Sequence, residues 1–204
     1  MMHDALPRHL MTSLAVTDAP RLLLIRHADR PPIPARETGL DVPLTATGEV
    51  RAGALGHHLE DELAWAVSSP ARRCLDTAHR AGVNPGISHL LGDPGPFVID
   101  PARGAEVFGT LGTQAVVRAQ IRGETWDFLR PLEEGARTLL RHLFDLLEHH
   151  GRTGLAVSHD AIILPVLSWA TGDSFDLEWL SPLDGAVLTP GALVWKGTFH
   201  EVQV

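Results

Sequence analysis

The chain has 204 residues, 44% of them hydrophobic, with 12 histidines, a single cysteine and a formal net charge of −8. That length supports one sizeable buried core rather than two, and the negative balance excludes a sequence-independent nucleic-acid binder, which needs a broad basic surface. No stretch approaches the roughly 20 apolar residues that span a bilayer, and the lone Cys74 rules out an internal disulfide, so a cytoplasmic location without membrane or nucleic-acid partners is expected.

Residues 1–20 are mixed and unperiodic and lack the apolar core of a signal peptide. They are expected to be a flexible surface leader, with residues 21–204 forming a single domain. The run Leu22 to Ile25 is too short for a globular helix and is closed by Pro31 and Pro32, which predicts a buried strand ending at Arg26-His27. A loop rich in proline and glycine follows to residue 43. "LTATGEVRAGALGHHLEDEL" then predicts a helix capped by Thr45, with Ala52, Leu55 and Leu59 on its buried face.

"AWAVSS" predicts a second short strand, and Pro70 is placed to open "PARRCLDTAHRAG" as a helix stopped by Gly82. Residues 82–105 read as loop and 106–130 as irregular or partly helical, together an insert expected over the site. Residues 131–151 carry Leu132, Leu139, Leu143, Leu146 and Leu147 at helical spacing, with Gly151 as the stop. "TGLAVSHDAIILPVLSWATG" repeats strand, polar pair and helix, and residues 185–204 predict two strands around a Pro190-Gly191 turn. Strands alternating with helices give an α/β fold, a three-layer α/β/α sandwich with a largely parallel central sheet.

In such a sheet the C-terminal strand ends share one edge, where ligands bind. Three of those ends carry chemistry: Arg26, His27 and Arg30; Arg73; and His159 with Asp160. Guanidinium groups match phosphate oxygens with paired hydrogen bonds and stay charged. Positive neighbours oppose protonation of a histidine between them, so His27 keeps a lone pair for attack on phosphorus. The arginines and His159 would stabilise the charge of the transferring group, and Asp160 is the nearest carboxyl in sequence to protonate the leaving alcohol.

These residues resemble the histidine phosphatase superfamily, which includes the phosphoglycerate mutases and the histidine acid phosphatases. The resemblance rests on "LLLIRHADRPP", "PLTATGEVRAGALG", "VSSPARRCLDTA" and "LAVSHDAIILPVL", in family order and covering most of residues 21–171 apart from the insert. It implies a phosphoglycerate mutase-like fold, His27 as nucleophile and Arg26, Arg73 and His159 as phosphate ligands. Arg73, four residues before Thr77, is the arginine that matches, rather than Arg72. Arg30, Pro32 and Asp160 match the phosphatase-like branch, whereas the mutase-like branch takes its acid from an insert glutamate, here Glu106. Ala28 stands where the family usually has glycine, which implies strain or an altered loop if that position needs glycine's backbone freedom.

The expected activity is therefore metal-independent hydrolysis of a small phosphorylated metabolite through a phosphohistidine, without a cofactor. A phosphomutase and a non-catalytic phosphate-binding module are the alternatives. Cys74 and Arg80 have the spacing of cysteine-dependent phosphatases, but their stretch lacks glycine and reads as helix, which argues for a small packing residue. His142, His149 and His150, and the pair His57-His58, lack a companion carboxylate or cysteine at ligand spacing and read as solvated, so no metal is expected. The tryptophans are scattered without interleaved basic residues, unlike a single-strand nucleic-acid binder.

Overall fold

The computed structural model describes residues 6–33, 39–59, 62–175 and 178–204. Its core is a seven-stranded sheet in the order β3-β2-β4-β1-β5-β6-β7, formed by β1 (Leu22–Arg26), β2 (Trp65–Ser68), β3 (Pro85–Ile87), β4 (Gly154–Ser158), β5 (Gly185–Thr189), β6 (Ala192–Trp195) and β7 (Thr198–Glu201). Strands β3, β2, β4 and β1 are mutually parallel, whereas β5, β6 and β7 extend the sheet as an antiparallel ribbon. The expected sandwich is present, with its parallel part confined to the half that carries the strand-helix junctions.

The helices are α1 (Arg8–Ala15), α2 (Ala46–His58), α3 (Arg72–Arg80), α4 (Pro101–Leu111), α5 (Thr113–Ile121), α6 (Leu132–His150) and α7 (Asp160–Thr171). The alternation of side chains along β1 and β4 assigns the layers. Leu23, Ile25, Leu155 and Val157 pack with Leu10, Leu14, Ala52, Leu55 and Ala78, on the side of α1, α2 and α3. Leu22, Leu24 and Ala156 pack with Leu139, Leu143, Ile163 and Leu167, on the side of α6 and α7. All four residues from Leu22 to Ile25 are completely buried, each burial worth about 1.5–3 kcal/mol in transfer free energy.

Four sequence expectations are corrected. Residues 1–5 lie outside the described residues, but the rest of the expected leader is not loose: α1 buries Leu10 and Leu14, because its apolar residues share one face. Pro70 does not open α3; Ala71 is the N-cap and the helix starts at Arg72. The insert holds β3, a 3-10 turn over His89–Leu91, α4 and α5. Asp100 caps α4 by accepting from the Arg103 N–H at 3.0 Å, with Pro101 in the first turn, and Val107, Val116, Val117 and Phe128 join the same apolar layer as α6.

The fourth correction concerns the C-terminal strands, which number three rather than two. Trp195 pairs with Thr198, leaving Lys196 and Gly197, both at positive φ, as a two-residue turn whose twist suits a hairpin. Among the described residues, no helix is long and apolar enough to cross a membrane.

Candidate active site

Three strand ends deliver their side chains to one edge. Arg26 is the last residue of β1, and the His27 N–H continues the ladder by donating to Ser158 O at 3.0 Å. Ser158 ends β4, His159 is the N-cap of α7 and Asp160 its first residue. Arg73 comes from the first turn of α3, just after β2. The structure thus brings His27, Arg26, Arg73, His159 and Asp160 together, with the His27 and His159 rings edge to face at a centroid distance of 5.5 Å.

The His27 ring has a defined orientation. Its Nδ1 lies 2.8 Å from Ala28 O; a carbonyl can only accept, so Nδ1 carries the hydrogen and Nε2 keeps its lone pair. Burial is the main reason that the pKa of His27 falls from 6.5 to about 3; the Ala28 hydrogen bond opposes that shift, and Arg73 and Arg26 reinforce it. Ala28 itself is buried, is not among the residues with positive φ, and donates through its N–H to Thr77 Oγ1 at 3.0 Å. Thr77 passes its own hydrogen to Arg73 O at 2.7 Å, so the loop after His27 is fastened to α3. A methyl group at this position carries no backbone strain, which answers the doubt that Ala28 raised.

His159 is held from both sides. Arg73 Nη2 donates to its Nδ1 at 3.1 Å, so its Nε2 carries the hydrogen and donates it to Ser69 Oγ at 2.9 Å. Burial, followed by the charge of Arg73, keeps its pKa well below the ordinary value. The other end of the Arg73 guanidinium donates to Gly39 O at 2.6 Å. Asp160 receives Arg26 Nη2 on Oδ2 at 3.0 Å, Trp179 Nε1 on the same oxygen at 2.9 Å, and the Ala161 N–H on Oδ1 at 2.8 Å.

Among the described residues, Arg26, Arg30 and Arg73 each have a buried Nε–H without a hydrogen-bond partner. Unpaired buried donors cost free energy, so these groups favour an acceptor placed beside them. Arg30 is half-buried and is oriented by donating to Pro31 O at 2.8 Å; burial and then the charge of Arg26 lower its pKa.

Glu106 is not part of this cluster. It lies on α4, its side chain 66% exposed, and pairs with Arg103 at 2.6 Å. Arg72, 58% exposed, reaches Asp76 at 3.6 Å. Cys74 is completely buried beneath His159, with Sγ 3.7 Å from Nε2, and burial raises its pKa to about 12. Such a thiol is a packing residue, not a nucleophile. Among the described residues, no group of three or more histidines, cysteines and acids is placed to hold a metal.

Four contributors were not foreseen from the sequence. Ser69 and Gly92 support His159: Gly92 sits at φ +144°, and a Cβ there would stand 2.6 Å from His159 Cδ2 and 2.8 Å from Ser69 Oγ. The segment leading to it is tied to the site by the Ser158 hydroxyl, which donates to Leu91 O at 2.7 Å. Trp179 and Leu180 belong to the strap before β5, where Leu180 O accepts from Arg26 Nη1. Only Gly92, in the run "GDPGPF", bore a signal of tight approach in the sequence.

Residues 22–91 match the family described as "Histidine phosphatase superfamily (branch 1)". Among solved structures, a phosphoserine phosphatase from Entamoeba histolytica in complex with phosphoserine aligns over 88% of this chain and 96% of its own, at 17% identity and TM-score 0.61. YhfR of Bacillus stearothermophilus aligns over 89% and 94%, at 20% identity and TM-score 0.61. A mycobacterial glucosyl-3-phosphoglycerate phosphatase bound to inorganic phosphate aligns over 87% and 94%, at 19% identity and TM-score 0.55. No curated protein matches the chain. The family match runs from β1 through the 3-10 turn, and these solved structures share the fold of the chain.

Proposed function

We propose that the protein is a phosphatase that hydrolyses a small phosphomonoester through a phosphohistidine on His27. The observation that carries this reading is the state of His27: buried, uncharged, its Nδ1–H committed to Ala28 O, and close enough to the guanidinium groups of Arg73 and Arg26 for their charge to oppose its protonation. A neutral imidazole with a fixed free lone pair beside a cationic cradle is suited to attack a phosphoryl group.

In the first half-reaction, Arg26, Arg30 and Arg73 take the phosphoryl oxygens. His27 Nε2 bonds to phosphorus as the bond from phosphorus to the ester oxygen breaks, and Asp160 gives its proton to the departing alcohol. In the second half, Asp160, now a carboxylate, takes a proton from water as that water attacks phosphorus, which frees inorganic phosphate and His27. The arginines supply the charge stabilisation that the transition state needs, so the reaction requires neither metal nor cofactor. Asp160 is favoured as the acid over Glu106 because it lies inside the cluster that holds His27 and the arginines, whereas Glu106 lies outside it on the exposed face of α4; this favours the hydrolase over the mutase reading. The solved neighbours named above as phosphatases, one of them bound to phosphoserine, support a small phosphorylated metabolite as the substrate class.

The test is rapid quenching with a labelled phosphomonoester. Wild type should release inorganic phosphate in the presence of chelator and yield an adduct stable in alkali and labile in acid, located on His27 by mass spectrometry, while a folded His27→Ala variant should yield neither. An adduct on another residue, or no phosphate release across a panel of phosphorylated metabolites, would overturn the proposal.

A further inference from the structure

The strap that precedes β5 grips the site at several points. Leu183 N donates to Arg26 O at 3.1 Å and Asp184 O accepts from the Arg26 N–H at 2.9 Å, Leu180 O accepts from the Arg26 guanidinium, and Trp179 reaches Asp160. The first three hold Arg26. The fourth bears on the proton donor, and its chemistry differs from that of its neighbour on the same oxygen.

Asp160 Oδ2 accepts from a cation, Arg26 Nη2, and from a neutral donor, Trp179 Nε1. A bound phosphoryl group competes for Arg26, because a doubly charged oxyanion is the stronger acceptor for a guanidinium. The indole has one N–H and cannot follow the phosphate. The Trp179 ring is in turn covered by Arg118 of α5, whose Cζ lies 5.8 Å from the ring centroid, within the range of a cation–π contact. With Oδ2 filled, Oδ1, which among the described residues accepts the Ala161 N–H, is the oxygen left with a lone pair to carry the transferable proton.

We propose that Trp179 is a positioning residue for proton transfer: its indole N–H keeps the Asp160 carboxyl in register with the leaving oxygen when Arg26 turns to the phosphoryl group, and through Arg118 it links the insert to that step. This rests on the reading of Asp160 as the acid.

The test compares turnover of an alkyl phosphate with that of nitrophenyl phosphate, whose leaving group departs without a proton. Asp160→Asn, measured alone, should lose far more activity on the alkyl ester; equal losses would remove Asp160 as the acid and this proposal with it. Given that selectivity, Trp179→Phe should lower kcat on the alkyl ester by about tenfold more than on nitrophenyl phosphate, a fraction of the 10²–10⁴ that a general acid supplies, with KM and vanadate inhibition unchanged. Added to Asp160→Asn, it should leave the ratio as it is. A folded Trp179→Phe variant with an unaltered ratio, or a fully additive double variant, rejects the inference while the function stands. If the phenylalanine variant does not fold, benzothienylalanine at position 179 keeps the ring shape, lacks the N–H and must give the same selective loss.

Discussion

Arg73 donates from Nη2 to Nδ1 of His159, a cation giving a hydrogen bond to a neutral imidazole across 3.1 Å. The bond exists only while His159 is unprotonated, so each residue fixes the state of the other. Arg73→Ala should therefore do two things. Weaker phosphate and vanadate inhibition and a fall in turnover of about a hundredfold are expected from the loss of charge at the transition state. A loss of about 1–3 kcal/mol in denaturant unfolding is expected because Gly39 O and His159 Nδ1 are left without their donor. Arg72→Ala, which removes only an exposed pair with Asp76, should do neither. Equal effects at the two positions would place the anion elsewhere.

Stability should fall as the pH is lowered from about 6.5 toward 3. The pKa of His27 is depressed from 6.5 to about 3 in the folded protein, so below pH ~6.5 the unfolded chain binds a proton that the native chain refuses. The contribution is complete above the unfolded value and is lost progressively on the acid side; His159 acts in the same direction. Urea midpoints measured across this range should drop for wild type and drop less for His27→Gln.

The same depression bears on the rate. Once the substrate's own ionisation near pH ~6 is divided out, kcat/KM should show no acid limb near 6.5 from His27. A limb at that pH would mean that His27 titrates normally.

Cys74 should be silent. With the thiol buried and its pKa raised to about 12, iodoacetamide at pH 8 should leave the native protein unmodified and react only in denaturant. Cys74→Ser should retain turnover. Rapid alkylation with parallel loss of activity would restore the thiol mechanism.

Gly92→Ala tests the support of His159. The new methyl group would stand 2.6 Å from the imidazole at a backbone angle that alanine rarely adopts, so a destabilisation of about 1–3 kcal/mol is expected. Turnover should fall with it, because the ring must leave its place between Arg73 and Ser69. A crystal structure of the variant with His159 unmoved would contradict this account.

Much of the fold could be read from local patterns. The buried strands β1, β2 and β4 announced themselves as apolar runs, and α6 by leucines at helical spacing with Gly151 at its end. The insert could not be read because α4 contains Gly104 and Gly109 and its apolar face is short, although Asp100-Pro101 was a usable start signal. The third C-terminal strand was hidden by a Lys196-Gly197 turn, since lysine is not a usual residue at positive φ. In the site, the residues on strand ends were legible because sheet topology gathers them. Trp179 and Ser69 were not, because each acts through a contact across distant sequence, and no local pattern encodes a partner 90 residues away, as for Ser69 and His159.

Arg26 and Leu180 are separated by 154 positions, and this has a consequence for the order in which the protein comes together. Closing so long a loop is slow compared with forming a helix. During synthesis, the arginine cluster of residues 26–73 emerges well before the strap, while Arg26 still lacks the carbonyl groups that bind its N–H donors. The sheet's parallel half can assemble in that interval, but the reactive edge cannot. Recovery of catalysis after dilution from denaturant should thus trail the return of helical circular dichroism, a delay set by chain connectivity and not by the chemistry of the bound phosphate.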